Sequence, residues 1–434
     1  MKQSNVEVNV HHITRVEGHG NINVKIKNGA METCEWSIPE APRFFEAMVL
    51  GRSWSELHHI TSRICGICSI GHTLASLKAT EMAMGIPISE QDLKLRKLAL
   101  HGENLQSHIL HLGFLVLPDL LGVGSVIPLA TSNPIEVKTV LGLHRLANEM
   151  STLICGRTTH PQRLLPGGFS KIPSMKELIT LRKKLQDAVP AVLATAELFN
   201  AVSGKLPDFN RETEFIALTD PSEYALYDGK IASSDTGSAP VKEYLSFTNE
   251  YVVPHSTAKW AKHNLSSYMV GALARFNINY TQLTPLAKKT AEMFNLKPVC
   301  HNPYMNSIAQ LVEVAYSFED SILLINELEA AGLQSQPDYF NPQIKVKAGA
   351  GVGAVEVPRG ILFHEYGYND KGTCIKANCI IPTNQNHGNI QQDMTTLVPK
   401  IADKSQKEIE LALEMLVRAY DPCISCSTHV TKIQ

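Results

Sequence analysis

The sequence lacks two features that would restrict its function early: a long uninterrupted apolar run, and a strong excess of charge of one sign. Its longest apolar stretch, residues 113–130, is interrupted by Pro118, Asp119 and Pro128, so it predicts no membrane-spanning helix. Lys and Arg number 40 against 42 Asp and Glu, which gives a net charge of −2. So balanced a chain has no overall basic field, which argues against nucleic acid as a partner.

The N-terminal residues also lack the pattern of a secretory signal peptide. Residues 1–10 pass directly into alternating polar and apolar side chains. Together with nine cysteines, this predicts a cytoplasmic protein in a reducing compartment, where paired cysteines usually bind metals or carry out redox chemistry. At 434 residues the chain is long enough to bury a stable core without disulfides.

No internal repeat or low-complexity linker divides the chain, so we expect a single domain over residues 1–434. Its expected parts are N-terminal strands over residues 6–38, a mainly helical body over 42–340, a small sheet over 343–383, and a C-terminal helix with a cysteine motif over 405–429. A turn at Asn28-Gly29 is expected within the N-terminal strands. The predicted fold class is therefore mainly α with small β elements near both ends.

Apolar periodicity places the helices of the body more closely. We expect helices over residues 93–117, 135–155, 175–203, 256–295, 304–331 and 405–420, with loops and short strands over 204–254. Glycines at 349–353 resemble a phosphate-binding loop only superficially, because no G-x-x-x-x-G-K-[ST] pattern follows them.

Two C-x-x-C pairs are the strongest chemical signal in the sequence: Cys65 with Cys68, and Cys423 with Cys426. Four thiolates together suit zinc, an iron–sulfur cluster or another soft-ligand metal. A structural zinc ribbon usually has its second pair within about 15–20 residues of the first, whereas these pairs lie at opposite ends of the chain. A thioredoxin-like redox pair is disfavoured as well, since no βαβ pattern surrounds either one.

The residues around both pairs identify a family. Residues 63–72 and 421–429 resemble the two signature motifs of the large, catalytic subunit of nickel–iron hydrogenases. Further matching blocks are Arg15-Val16-Glu17-Gly18-His19-Gly20, Arg43-Phe44-Phe45-Glu46, Gly156-Arg157 with His160-Pro161, Pro358-Arg359-Gly360 and Pro382-Thr383. These ordered matches cover nearly the whole chain. They imply the nickel–iron hydrogenase large-subunit fold, in the cytoplasmic bidirectional branch that includes archaeal sulfhydrogenases.

By this resemblance, the chain would catalyse the reversible heterolytic cleavage of H2 at a nickel–iron centre with carbon monoxide and cyanide on the iron. Cys65 and Cys423 would be terminal nickel ligands, while Cys68 and Cys426 would bridge nickel and iron. The thiolate of Cys423 would accept the proton and pass it to Glu17. A partly buried carboxylate is chemically suited to such a relay.

The resemblance also implies side chains that surround the centre. Arg359 would donate to one cyanide and the hydroxyl of Thr383 to the other, while His72 would donate to a bridging sulfur. An arginine at this position has also been considered as the base in such enzymes. Because the pKa of arginine is so high, removing its proton would cost much free energy. From the residues alone, Glu17 is equally well interpreted as a helix cap or a partner of Arg15, and Arg359 as a loop salt bridge.

A second metal ion follows from the same resemblance. Glu46 and His429 would bind magnesium, with the backbone carbonyl of Cys379 as a third protein ligand. A histidine ligand is unusual for magnesium, which prefers oxygen.

The remaining histidines and cysteines have simpler interpretations. The three histidines of the 93–117 helix are expected to be buried and hydrogen-bonded: His101, His108 and His111. Four scattered cysteines are expected to be small buried apolar side chains: Cys34, Cys155, Cys300 and Cys374.

No second cluster-binding cysteine pattern is left for electron transfer. The resemblance therefore implies an iron–sulfur small subunit, and further electron-transfer subunits of the flavin, NAD(P) or disulfide-reductase type. The sequence has no G-x-G-x-x-G, so an NAD(P) site would lie on another subunit. The acceptor would be NAD(P), ferredoxin or a heterodisulfide-reductase-type partner.

Residues 430–434 resemble the short C-terminal tail that a maturation protease removes in this family. Two alternative functions stay open at this point. One is a hydrogen-sensing regulatory protein with the same centre. The other is a non-catalytic scaffold relative, although such relatives lack the four cysteines.

Overall fold

The structure, a computed structural model, describes residues 5–336, 339 and 341–428. Its helices are α1 (Phe45–Val49), α2 (Leu57–Thr61), α3 (Ser69–Met84), α4 (Glu90–Leu110), α5 (Leu117–Leu121), α6 (Val126–Ser132), α7 (Pro134–Cys155), α8 (Met175–Val202), α9 (Tyr244–Phe247), α10 (Ala272–Asn279), α11 (Pro285–Met293), α12 (Asn306–Ala331), α13 (Pro382–Ile401) and α14 (Gln406–Ala419). Its strands are β1 (Asn5–Val10), β2 (Asn21–Lys27), β3 (Ala30–Ser37), β4 (Leu164–Leu165), β5 (Gly168–Phe169), β6 (Glu214–Thr219), β7 (Lys230–Ser233), β8 (Gly237–Ala239), β9 (Asn249–Tyr251), β10 (Trp260–Lys262), β11 (Tyr268–Met269), β12 (Gly349–Val357), β13 (Gly360–Tyr368) and β14 (Cys374–Ile380).

The predicted N-terminal strands are present, and they form an antiparallel sheet in the order β1-β2-β3. Asn28 and Gly29 form the turn between β2 and β3, with φ values of 52° and 77°. Positive φ at both central residues is what a tight hairpin turn requires. The turn sets the register in which Lys27 faces Ala30, and the alternate side chains of β1 and β2 enter the core.

Long helices form the centre of the molecule, as the apolar periodicity predicts. Helices α4, α7, α8 and α12 pack against one another, and their apolar faces belong to one continuous core. Local sequence fixes their ends. Ser174 and Glu177 form a capping box at the start of α8, and Gly156 ends α7 in a left-handed conformation with φ of 82°. With 51% helix, the expectation of a mainly helical fold with small sheets is confirmed.

Two parts of the helix prediction are wrong. The stretch predicted as one helix over 256–295 contains β10, β11, α10 and α11, because Gly271, with φ of 114°, starts α10 afresh. Its strand β11 completes a mid-chain sheet in the order β11-β6-β7-β8. Helix α13 was not predicted. Its first half buries several amide side chains and a histidine, and this part of the sequence therefore shows no apolar periodicity.

The C-terminal sheet has the order β12-β13-β14, and α3 lies across β12. Glycines of β12 make this contact possible. A Cβ on Gly351 would lie 2.3 Å from the carbonyl oxygen of Ala79, and one on Gly353 would lie 2.1 Å from that of Ala75. The helix backbone therefore rests directly on the strand. The glycines that resemble a phosphate loop serve this packing instead.

Among the described residues, no single helix is both long and apolar enough to cross a membrane. One helix pair meets that criterion only jointly, Glu90–Leu121 with Val126–Ser132, across a bend of 75°.

Replacing Gly353 by Ala tests the contact between α3 and β12. The added methyl meets backbone atoms that cannot rotate away, so we expect a loss of about 1–3 kcal/mol in the free energy of unfolding. Gly142→Ala in α7 is the matched control, because a Cβ there meets nothing within 4 Å. In a helix this control should gain up to about 1 kcal/mol. Equal denaturant midpoints for the two variants would contradict the close contact.

Candidate metal centre

The four predicted cysteines meet in one buried group. Cys65 and Cys68 lie in the segment that leads into α3, and Cys423 and Cys426 lie just after α14. All four sulfur atoms lie within 4.8 Å of one another. The Sγ atoms of Cys65 and Cys423 are 3.3 Å apart, and those of Cys423 and Cys426 are 2.7 Å apart. In the described part of the chain, this is the one metal-ligand group of three or more side chains.

Backbone and side-chain hydrogen bonds bring the two ends of the chain together at this group. The guanidinium of Arg43 donates to the carbonyl oxygens of Ile64 and Ser425, which belong to the two opposite cysteine segments. The amide of Ile424 donates to the carbonyl oxygen of Glu17 over 3.0 Å. Three distant parts of the sequence are thereby fixed around the sulfur atoms.

The electrostatics of the group favour a bound cation. Burial would raise the pKa of the Cys65 thiol, but hydrogen bonds from the other three cysteines hold it well below the ordinary value. Two backbone amides, of Ile67 and Cys68, also donate to this sulfur. Burial raises the pKa values of Cys423 and Cys426 well above the ordinary range. Four thiolates are therefore stable here only beside a positive charge, which fits a soft metal ion.

Arg359 lies in the turn between β12 and β13 and is 3% exposed. Its guanidinium donates to Asp421 over 2.7 Å and to the hydroxyl of Ser107 over 3.1 Å. Burial alone would lower the pKa of Arg359, but Asp421 and the nearby thiolates raise it above its ordinary value. A guanidinium held in this way suits a permanent donor better than a base. Its Nε has no hydrogen-bond partner among the described residues.

Glu17 faces the second cysteine pair. Its carboxylate accepts from the hydroxyl of Ser425 over 2.5 Å and from the Ser425 amide over 3.1 Å. Arg15 instead pairs with Asp119 and donates to a backbone carbonyl. The alternative of an Arg15–Glu17 salt bridge is therefore wrong.

Thr383 and His72 also lie at the group. The hydroxyl oxygen of Thr383 accepts from the amide of Cys423 over 3.0 Å, so its own proton remains available for donation. Nδ1 of His72 is 3.0 Å from Nε2 of His364, whose Nδ1 is 2.6 Å from the Tyr366 hydroxyl. Nε2 of His72 is buried without a hydrogen-bond partner in the described structure. Burial lowers the pKa of His72 to about 4 and keeps the ring neutral.

Glu46 lies on α1 and is 1% exposed. One carboxylate oxygen accepts from the amide of Cys379 over 2.7 Å, and the other has no partner among the described residues. In an antiparallel strand the N–H and C=O of one residue point to the same side. The Cys379 carbonyl therefore faces the same side as its amide, towards α1. His429 lies outside the described residues.

Several side chains at the group were not predicted. Asp421 and Ser425 stood inside the C-terminal motif, so their closeness to Cys423 was a usable signal. Ser107 and Glu103 belong to α4 and had no such signal. The Glu103 carboxylate accepts from the amides of residues 70 and 71, at the start of α3, and burial raises its pKa well above the ordinary value.

The interpretation of the three histidines in the 93–117 stretch is confirmed. His101, His108 and His111 are buried and hydrogen-bonded to side chains of α12. Of the scattered cysteines, Cys155 and Cys374 are buried, while Cys34 and Cys300 are only half-buried.

Comparisons with known proteins agree with this geometry. The family model described as nickel-dependent hydrogenase matches residues 43–139 and 208–429. The chain is 32% identical to sulfhydrogenase 1 subunit alpha of Pyrococcus furiosus over 437 residues, covering 100% of both chains. It is 33% identical to sulfhydrogenase 2 subunit alpha of the same organism, covering 97% of this chain and 98% of that one.

A solved structure shows the same fold. It is an NAD+-reducing [NiFe]-hydrogenase in the H2-reduced state, with a TM-score of 0.86 and 25% identity, covering 98% of this chain and 100% of that one. The family match spans both cysteine pairs, and the structure brings these pairs together. The chain therefore belongs to the nickel-dependent hydrogenase family, as the catalytic large subunit of such an oxidoreductase.

Proposed function

We propose that the four cysteines hold a nickel–iron centre, with carbon monoxide and cyanide on the iron, and that the chain catalyses reversible heterolytic cleavage of H2. Cys65 and Cys423 would serve as ligands of nickel alone, and Cys68 and Cys426 would serve as ligands of both metals. When bound, the centre supplies the redox chemistry and the polarisation of dihydrogen. The observation that carries this proposal is the buried group of four sulfur atoms within 4.8 Å of one another.

The proton leaves through side chains of this chain. The Cys423 thiolate accepts it, and a carboxylate oxygen of Glu17 receives it next. Two observations support this order: the Glu17 backbone pairs with the segment of Cys423, and Ser425 holds both Glu17 oxygens. Glu17 is half-buried whereas the four cysteines are buried, so its side chain can exchange a proton with solvent more readily than they can.

Arg359, Thr383 and His72 act as hydrogen-bond donors around the centre. The Nε of Arg359, which has no partner among the described residues, and the hydroxyl proton of Thr383 would be available to donate to the two cyanides. For His72, a consistent tautomer follows if the Tyr366 hydroxyl donates to His364 and His364 donates to Nδ1 of His72. Nε2 of the neutral His72 ring then carries the proton, and donates to a bridging sulfur.

A second site would hold a magnesium ion, with Glu46, His429 and the backbone carbonyl of Cys379 as its protein ligands. Support comes from the Glu46 carboxylate, whose second oxygen is buried without a partner among the described residues. A buried unpaired carboxylate oxygen is costly, and a divalent cation relieves that cost.

Electrons pass to an iron–sulfur small subunit that docks beside the first cysteine pair. Gly66, between the first two cysteines, and Arg63 are exposed. Phe44 and Met48 are each 47% exposed, although both are large and apolar. Arg43 brings them to this face by its hydrogen bond to the carbonyl oxygen of Ile64. An exposed apolar patch beside a redox centre is typical of a subunit interface.

We further propose flavin, NAD(P) or disulfide-reductase-type subunits beyond the small subunit. The final acceptor is then NAD(P), ferredoxin or a heterodisulfide-reductase-type partner. The relatives of this chain support such assemblies, since they include alpha subunits of sulfhydrogenases and the NAD-reducing hydrogenase HoxS subunit beta of Cupriavidus necator.

The remaining proposals concern the whole chain. Residues 1–434 form one domain, which is supported by a hydrophobic core that includes residues from both ends. The protein is cytoplasmic, and a maturation protease removes residues 430–434, which lie outside the described structure.

Replacing Cys65 by Ser tests the metal ligands. A hydroxyl is a much poorer ligand for soft metals than a thiolate, so the matured variant should lose most of its nickel. Cys34→Ser is the control, since Cys34 lies in β3 and outside the four-thiol group. Metal analysis of both purified variants makes the comparison. Full nickel occupancy in the Cys65 variant would exclude it as a ligand.

Replacing Glu17 by Gln tests the proton route. Without an ionisable group, H2-dependent dye reduction should fall by roughly 10²–10⁴-fold, while nickel and iron contents stay unchanged. Glu40→Gln is the matched control, because this neighbouring carboxylate accepts from the amide of His19 and not from Ser425. Undiminished turnover in the Glu17 variant would contradict the route. If the protein without any substitution is loaded with nickel and iron but shows no turnover, that result would instead support a hydrogen-sensing role.

A further inference from the structure

Helix α12 has a polar face buried in the core. It comprises Asn306, Gln310, Glu313 and Ser317, each no more than 3% exposed. Their spacing places them along one side of the helix. Buried polar groups are costly unless they are hydrogen-bonded, and these four bind partners on several other elements. Two of them, Gln310 and Glu313, are each connected to Arg359 or its turn through one intermediate side chain.

The first connection runs through the side chain of Gln310. Its amide nitrogen donates to one oxygen of Asp421 over 3.0 Å, and the other Asp421 oxygen accepts from Arg359 over 2.7 Å. The Gln310 carbonyl oxygen lies 2.6 Å from Nδ1 of His111. The reverse amide orientation would place two oxygen atoms against each other at Asp421. The Asp421 carboxylate therefore sets which way the Gln310 amide points, and Gln310 in turn orients the carboxylate that holds Arg359.

The second connection runs through the backbone before Arg359. Glu313 accepts two hydrogen bonds from Arg275, over 2.6 and 2.7 Å. The same guanidinium donates to the carbonyl oxygens of Val357 and Pro358, over 2.9 and 3.0 Å. Arg275 is wholly buried, and this pairing satisfies both its charge and its donors. The turn that carries Arg359 is thus tied to α12, one helical turn from Gln310.

We propose that Gln310 and Arg275 are positioning residues for the Arg359 guanidinium at the metal centre. Gln310 sets the side chain through Asp421, and Arg275 sets the backbone of the turn. Neither touches the four cysteines in the hydrogen bonds of the structure, so both act through Arg359. This inference rests on the proposed function, in which Arg359 donates to a cyanide.

The test compares Gln310→Glu with Ser317→Ala in the matured holoenzyme. The first variant keeps the size of the side chain but places a second carboxylate against Asp421. Ser317 lies on the same face of α12 but pairs with His101 over 3.2 Å, so it is the matched control. We expect turnover of the Gln310 variant to fall roughly tenfold to a hundredfold, because small misplacements of a catalytic group are costly.

Infrared spectroscopy gives a measurement that would not change if Gln310 had only a structural role. The cyanide bands should shift in Gln310→Glu, with nickel and iron contents unchanged, and should stay in place in Ser317→Ala. If Gln310→Glu does not accumulate, Gln310→Asn shortens the same amide and should give the same shift. Arg275→Lys, which keeps the charge but loses the forked geometry, should act in the same direction.

Two results would overturn the inference in distinguishable ways. Unmoved cyanide bands and turnover within about twofold of the control, in a metal-loaded Gln310 variant, would show that Gln310 does not position Arg359. Absence of cyanide bands from the unchanged holoenzyme would instead overturn the proposed metal centre, and this inference with it.

Discussion

The structure depends on closing the two ends of the chain onto each other. Arg43 joins the segments of the two cysteine pairs, and the amide of Ile424 binds the carbonyl oxygen of Glu17. Bringing distant segments together has an entropic cost that grows slowly with the length of the loop between them. A large core formed from both ends offsets that cost. Once these segments meet, the four sulfur atoms and the Glu17 carboxylate lie in one region of the fold.

Buried ion pairs near the sulfur atoms hold the surrounding helices, turn and C-terminal segment in one arrangement. Arg359 with Asp421, and Arg275 with Glu313 and Glu356, are ion pairs almost completely removed from water. Breaking one partner of such a pair is strongly destabilising, because it leaves an uncompensated charge. Each pair is therefore confined to a narrow geometry. Both are connected to α12. This helix therefore holds both the turn that carries Arg359 and the C-terminal segment that carries Asp421.

The sequence predicted the fold class and the meeting of the two cysteine pairs, but not the placement of every helix. Residue types with a fixed local spacing were recognisable, and the structure brings together all four cysteines with Glu17, Thr383 and Arg359. Helix α13 escaped prediction because it buries amides, whose partners are distant in sequence. Ser107 and Glu103 could not be predicted for a similar reason: their role depends on which elements α4 meets. Periodicity reports burial, and it carries no information about the partner across an interface.

The most direct test of the central claim is infrared spectroscopy of the protein isolated with its partner, together with nickel and iron analysis. The account predicts bands in the cyanide and carbon monoxide stretching region, with nickel equimolar to the chain. Zinc in the four-cysteine group without such bands, even after loading by a maturation system, would contradict it. The group would then be a structural zinc site.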